Sequence, residues 1–243
     1  MHPLATFSAF LSFVVFSSSI KLPSSYKKCA IQDKVCLGTN FEAGIRYASK
    51  GLPAYGLVSL DPLLLPELTI GAGKSVVNLQ QFYKNVSFTG FFNIKVEDFE
   101  VDLDKGILTI KQSYPGFLMN AEYNMMGKIL VLPVFGNGHC TVTLEKVKPV
   151  YQAKFDLISR KGEKYMRITS EHYTLNASFA KYNFENVFNG DKILGAEINK
   201  VINDNWKEIY DEVIPGYESA IGMLLTNIAN RFLNRVPVSA LFL

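Results

Sequence analysis

Between Ile193 and Val236 the apolar residues fall at three- and four-residue steps. They are Leu194, Ile198, Val201, Ile202, Ile209, Val213, Tyr217, Ile221, Leu224, Leu225, Ile228 and Phe232. That spacing lays one apolar stripe along an α-helix, about 60 Å long at 1.5 Å per residue. Asp191, just after Asn189 and Gly190, is the candidate N-cap and Pro237 supplies the stop. Pro215 lies inside the run and predicts a kink rather than an end, because it removes one backbone donor. A helix this long cannot bury its stripe on itself, so other elements must wrap it.

The wrapping elements are legible upstream, where from Ser75 to Phe179 the hydrophobic period drops to two. Val86, Phe88, Phe92, Ile94 and Val96 alternate with polar residues, Phe91 breaking the pattern; Phe99, Val101 and Leu103 do the same. Asp104-Lys105-Gly106 reads as a hairpin turn into Ile107–Lys111. Phe117, Met119, Ala121, Tyr123 and Met125 share one face, and Gly127 bounds the next run, Lys128–Phe135. Gly136-Asn137-Gly138 reads as a turn, and Val147 to Leu157 as a further strand ending at Arg160-Lys161-Gly162. Tyr165–Ser170 and Tyr173–Phe179 complete the set, an antiparallel sheet with one apolar and one wet face. Before it, Thr39 and Glu42 form a capping-box pattern that opens a short helix with Phe41, Ile45 and Ala48 on one face. Gly51 and Pro53 end that helix, and Leu60-Asp61-Pro62-Leu63 is a proline-stiffened connection.

Composition narrows the class. With 48% hydrophobic and 19% charged residues, the 243-residue chain is a globular protein rather than a disordered one. A net charge of +3 spread along the chain argues against nucleic acid. Leu4 to Phe16 is an apolar core of a secretory leader, with Ser17 and Ser19 as small residues for cleavage; we expect a signal peptide over 1–19 and one domain over 20–243. The apolar run is shorter than the ~20 residues a membrane span needs. Of the three cysteines, Cys29 and Cys36 are close together just past the leader, where a bridge would close a short loop. Cys140 alternates in phase with Val142 and Leu144 and reads as a buried thiol. Asn85 and Asn176 stand in Asn-x-Ser glycosylation sequons.

Catalytic patterns are missing from the chain. Gly73-Lys74-Ser75 imitates the end of a phosphate-binding loop, but the position that needs the first glycine is Leu68. His139 and His172 lack metal-ligand spacing, no serine sits in a nucleophile elbow, and Glu100, Asp102 and Asp104 form the polar phase of a strand. We therefore expect a non-enzyme with neither cofactor nor metal. The aromatic- and methionine-rich interior fits either a close-packed core or an apolar ligand site.

Several runs, taken in order, resemble the takeout and juvenile hormone-binding protein family of insects. They begin with Cys29…Cys36 and Gly51-Leu52-Pro53…Leu60-Asp61-Pro62-Leu63, followed by Leu132-Pro133…Gly136-Asn137-Gly138 and Thr141-Val142-Thr143-Leu144. Asn186 to Gly195, Asn203-Asp204-Asn205-Trp206 and the tail Pro237-Val238…Leu241-Phe242-Leu243 continue the likeness over the whole mature chain. The resemblance implies an α+β fold: a strongly curved antiparallel sheet wrapping the long C-terminal helix around an elongated hydrophobic cavity. The disulfide-tethered N-terminal helix would lie near its mouth. It also implies an extracellular, hemolymph-type carrier of a small hydrophobic ligand, a terpenoid or another lipid. Lepidopteran hormone-binding members carry a second disulfide in the C-terminal half; this chain has no cysteine after Cys140, which favours a takeout-like member.

Physical reasoning then nominates ligand contacts. Ile45 and Tyr47 are candidates for the mouth, and Phe88, Phe92, Tyr123, Met125, Phe135, Tyr151, Phe155, Ile221 and Leu225 for the wall. A phenol at Tyr123 or Tyr151 would orient a ligand through one hydrogen bond. The competing reading is an extracellular interaction protein that binds a receptor or membrane surface without an internal ligand; under either reading we expect a monomer, and a lipid hydrolase would need a nucleophile and base not found here.

Overall fold

The computed structural model describes residues 22, 26–71 and 77–243. The expected leader over 1–19 and the Gly73-Lys74-Ser75 run lie outside the described residues. Helix α1 (Lys34–Ala48) is followed by strands β1 (Leu63–Ile70), β2 (Val77–Thr89) and β3 (Lys95–Asp102). Two long strands come next, β4 (Ile107–Ile129) and β5 (Leu132–Arg160), then β6 (Glu163–Asn176) and β7 (Phe179–Phe184). The chain ends with α2 (Lys192–Asp204), α3 (Trp206–Leu233) and the short α4 (Val238–Leu241). This is the α+β architecture expected, a curved antiparallel sheet closed around a long C-terminal helix, with a short helix at the N-terminus.

The β4–β5 hairpin is the spine of the sheet. Over its first half β4 pairs with β3, ending at Lys95↔Ser113; over its second half it pairs with β2, starting at Thr89↔Leu118. β5 divides in the same place: β7 pairs with it up to Glu145↔Phe179, and β6 from Lys148↔Asn176 onward. The sheet therefore forks into two wings, β1-β2-β4-β5-β7 and β3-β4-β5-β6. Register shifts at Lys84/Ser87, Val96/Asp98 and Lys154/Phe155 add local twist and bend the wings around the helix.

Several expectations are corrected. The expected turn at Gly136-Asn137-Gly138 is straight strand inside β5, and Gly127 lies inside β4; the chain reverses instead at Leu130 and Val131. The two glycines of β5 answer a packing need: a Cβ on Gly136 would sit 2.9 Å from Val187 Cα, and one on Gly138 only 2.6 Å from the Glu185 carbonyl. Bare backbone is what lets the 185–188 segment lie across the strand. Thr39 and Glu42 do not open α1. Asp33 caps it, accepting from Cys36 N at 3.0 Å, while Thr39 bonds back to the Val35 carbonyl and Glu42 accepts from Val96 N. Leu60, Asp61 and Pro62 form a turn rather than an extended connection and lead into a strand, β1; Tyr165–Ser170 and the start of the Tyr173–Phe179 run are one strand, β6, while Phe179 opens β7.

The terminal helix is broken once, at Asn205, and Pro215 does not end it, as expected. Asn205 leaves helical geometry and its amide folds back onto the Val201 carbonyl at 2.8 Å, whereas Pro215 is exposed and α3 continues through it. Asp191 caps α2 as expected, accepting from Ile193 N and Leu194 N. The Cys29–Cys36 disulfide forms, with Cα atoms 5.8 Å apart, and ties the first turn of α1 to a segment that bridges to Phe242 at the C-terminus.

Sheet edges are closed by helix side chains. Asn203 Oδ1 accepts from Tyr182 N at 2.9 Å and its amide donates to Tyr182 O at 2.8 Å; Asn199 does the same at Phe184. Asn230 clasps Ile168 in the same way on β6, and Glu218 accepts from Leu175 N. Each amide stands in for a neighbouring strand and satisfies backbone groups that an open edge would leave bare.

Candidate ligand-binding chamber

Under the fork, where neither β3 nor β2 covers Tyr114 to Phe117, a cavity opens between sheet and helix. Phe88 of β2, Phe117 and Met119 of β4, and Val142 and Leu144 of β5 form one wall. Tyr173 and Leu175 of β6 and Tyr182 of β7 form another, and Tyr210, Val213, Ile214, Tyr217 and Ile221 of α3 close it. Phe91 plugs the remaining side from the turn after β2. The space available to the centre of a water-sized sphere is about 50 Å³, and all unfilled space along the cleft, including the part open to solvent, is about 610 Å³. The enclosed part is far below the ~300–1,000 Å³ of typical small-molecule sites, so the side chains nearly fill it in this state.

The walls explain why the fork does not close. Tyr114, Phe117 and Phe91 stack at centroid distances of 4.6 and 4.9 Å, tilted against one another. Large flat rings meeting at such angles leave gaps that branched aliphatics would fill. Asp61 holds Phe91 in place by accepting from Gly90 N at 3.2 Å and Phe92 N at 2.7 Å. α1 packs on β3 and on this same turn, joined to β3 by the Phe41–Phe99 ring pair at 5.7 Å.

Of the nominated contacts, the cavity brings together Phe88 and Ile221. Phe92 is 48% exposed: residues 91–93 form a single 3-10 turn, which shifts the phase and sends Phe91 inward instead. The interruption at Phe91, directly after a glycine, was the signal for that shift. Tyr47 and Phe135 are 56% and 43% exposed, Phe135 lying against Phe188, while Ile45 and Leu225 are half-buried. Met125 and Phe155 are buried in the sheet's inner face away from the cavity. Both phenols nominated to orient a ligand are engaged: Tyr123 donates to the Glu185 carbonyl at 2.5 Å, and the Tyr151 hydroxyl shares a 2.5 Å hydrogen bond with Thr226. The Tyr173, Tyr182, Tyr210 and Tyr217 side of the cavity was missed, because two of these residues lie on the stripe or flank of α3 and two on strands whose inner face looks like ordinary core.

Cys140 is a buried free thiol, and burial pushes it up to about 12. Asn85 and Asn176 are both exposed, Asn85 at the β2 bulge and Asn176 at the end of β6. Among the described residues no group of three or more His, Cys, Asp or Glu side chains is gathered to hold a metal, and no helix is long and apolar enough to cross a membrane. A second hollow of about 220 Å³ lies beside the start of α2, where Asn186, Asp191, Lys192 and Asn199 share the lining with Phe184, Val187, Ala196 and glycines.

Sheet, helix and cavity define an apolar enclosure inside an α+β shell. The chain belongs to the haemolymph juvenile hormone binding protein family, whose model matches residues 7–243. It is a family of binding proteins rather than of enzymes. Among relatives, the circadian clock-controlled protein daywake of Drosophila yakuba and that of Drosophila melanogaster are each 24% identical over 229 residues, covering 90% of this chain and 88% of theirs. The juvenile hormone-binding protein of Manduca sexta is 29% identical over 106 residues, 44% of this chain and 43% of that protein. The crystal structure of Epiphyas postvittana Takeout 1 superposes with a TM-score of 0.81 at 22% identity, covering 88% of this chain and 98% of that one, and shares the fold.

Proposed function

We propose that this protein is a secreted, non-enzymatic carrier that holds a small hydrophobic molecule, a terpenoid or another lipid, in the chamber beneath the fork. A leader over 1–19 would direct it to extracellular fluid such as hemolymph, and the domain over 20–243 would act as a monomer. The observation that carries the reading is the composition of the chamber. Among the described residues every lining side chain is aliphatic, aromatic or methionine, and its polar atoms are phenols and backbone. Such a wall offers nothing to bind a charged solute and no nucleophile–base pair, while each Å² of apolar ligand surface it removes from water contributes ~25 cal/mol. The hormone-binding relative from Manduca sexta supports the same ligand class.

An enclosed volume of about 50 Å³ means that the walls must part to admit an isoprenoid-sized molecule. Met119 and Leu144 are suited to that movement, since flexible unbranched or γ-branched side chains can change rotamer. The test is native mass spectrometry of protein secreted from eukaryotic cells, with denaturing extraction of what it carries. A stoichiometric apolar adduct, or uptake of an added terpenoid ester with a rise in Tm, is expected. A bare mass that takes up neither terpenoids nor long-chain lipids would overturn the carrier reading in favour of an interaction protein.

A further inference from the structure

Four phenols border the cavity, and their hydrogen bonding divides them into two pairs. Tyr210 donates to the Leu175 carbonyl, and the Tyr217 hydroxyl donates to that of Tyr83 at 2.8 Å, which itself donates to Gln81 Oε1 at 2.7 Å. The hydroxyls of Tyr173 and Tyr182 have no hydrogen-bond partner among the described residues, although these side chains are only 5% and 8% exposed. Among the described residues, every side-chain N or O atom that is completely walled off does have a partner. The two unpartnered oxygens therefore keep a free surface, and both residues line the cavity.

A buried hydroxyl without a partner is unfavourable, and phenylalanine would supply the same ring without that cost. A wall meant only for packing has no use for either oxygen. Their surroundings also specify what they can meet. Burial, then the neighbouring Tyr114 and Tyr210 and the Glu218 carboxylate, hold Tyr173 well above the ordinary phenol range. Burial, then Tyr217, Tyr210 and Asp211, do the same for Tyr182. Both are therefore protonated donors at any physiological pH. Among the described residues no Lys, Arg or His borders the cavity, and the charges that reach these phenols are carboxylates, so an anionic head group would find two like charges nearby and no counter-ion among those residues.

We propose that Tyr173 and Tyr182 are the polar recognition point of the chamber, selecting neutral ligands whose apolar body carries a carbonyl or ether oxygen over pure hydrocarbons and over carboxylates. This rests on the carrier reading and names its ligand class.

The experiment is displacement of a fluorescent apolar probe from the full secreted protein by three molecules of equal chain length: tridecane, 2-tridecanone and tridecanoate. The wild type is expected to bind the ketone about tenfold more tightly than the alkane or the acid, the worth of about one net hydrogen bond. Tyr173→Phe combined with Tyr182→Phe should bring the ketone down to the alkane's affinity for the same variant, with no loss in Tm because neither hydroxyl gives up a partner. If the double variant fails to fold, the two single variants must each show a reduced ketone preference. No ketone preference in the wild type, or an undiminished one in the variants, overturns the proposal while alkane binding keeps the carrier reading alive. Failure of the wild type to bind any of the three overturns both.

Discussion

The two sides of the fork are built from the same strands and differ in how they are filled. In the β3–β6 wing, Val101, Leu108, Ile110, Phe155, Met166 and Ile168 are all buried, and Tyr151, a buried phenol away from the cavity, is bonded to Thr226 of α3. At the fork, seven rings share the walls with aliphatic side chains, Tyr114 to Phe117 has neither β2 nor β3 beside it, a cavity remains, and two phenols have no hydrogen-bond partner among the described residues. The first region behaves as a core should, with polar groups paired and space closed. The second departs on both counts at the same spot. Such coincident departures mark a place shaped for something other than stability.

The sharpest way to break this contrast is to delete a large side chain on each side. Phe155→Ala should destabilise by about 3–5 kcal/mol, because a well-packed site cannot collapse around the hole. Phe117→Ala should cost less, about 2 kcal/mol, since it enlarges space that already exists, and it should change ligand affinity where Phe155→Ala does not. Urea unfolding of both variants reads the difference; equal costs would mean that the fork is as tightly packed as the wing.

A smaller effect is expected at the sheet edge beside the chamber. Asn203→Ala leaves the Tyr182 N–H and carbonyl without their amide partner and should cost about 1–3 kcal/mol. Amide exchange at Tyr182 should accelerate with it, and unchanged protection there would show that solvent or a neighbour already satisfies those groups.

The smallest effect sharpens the comparison most. Tyr151→Phe strips Thr226 of its partner in the dry wing and should lose about 1 kcal/mol, while Tyr173→Phe at the chamber should stay within about 0.5 kcal/mol of wild type. A larger loss at Tyr173 than at Tyr151 would contradict the division between paired and unpaired phenols.

Much of this was legible in particular residues. The three-and-four spacing from Ile198 to Phe232 identified the terminal helix, and Asp191 its cap, because helix periodicity and capping are local properties. The alternation from Phe117 to Met125 put those five side chains on the buried face of one strand, as found. Cys29 and Cys36 could be paired from spacing and context. Where the reading failed, a long-range contact had claimed a residue that looks like local punctuation. Gly136 and Gly138 resemble a turn but make room for the 185–188 backbone, and Asn199, Asn203 and Asn230 resemble a helix's wet face but pair with strand edges.

The sequence by itself determined the elements, their apolar faces and, through ordered motifs, the family. Only the tertiary structure decided where the sheet forks, that Phe91 rather than Phe92 turns inward, and which phenols find partners. Periodicity reports which side of an element is buried, a property of each element alone. Whether a buried oxygen meets a carbonyl or a cavity depends on how several elements close together, and no single segment carries that information.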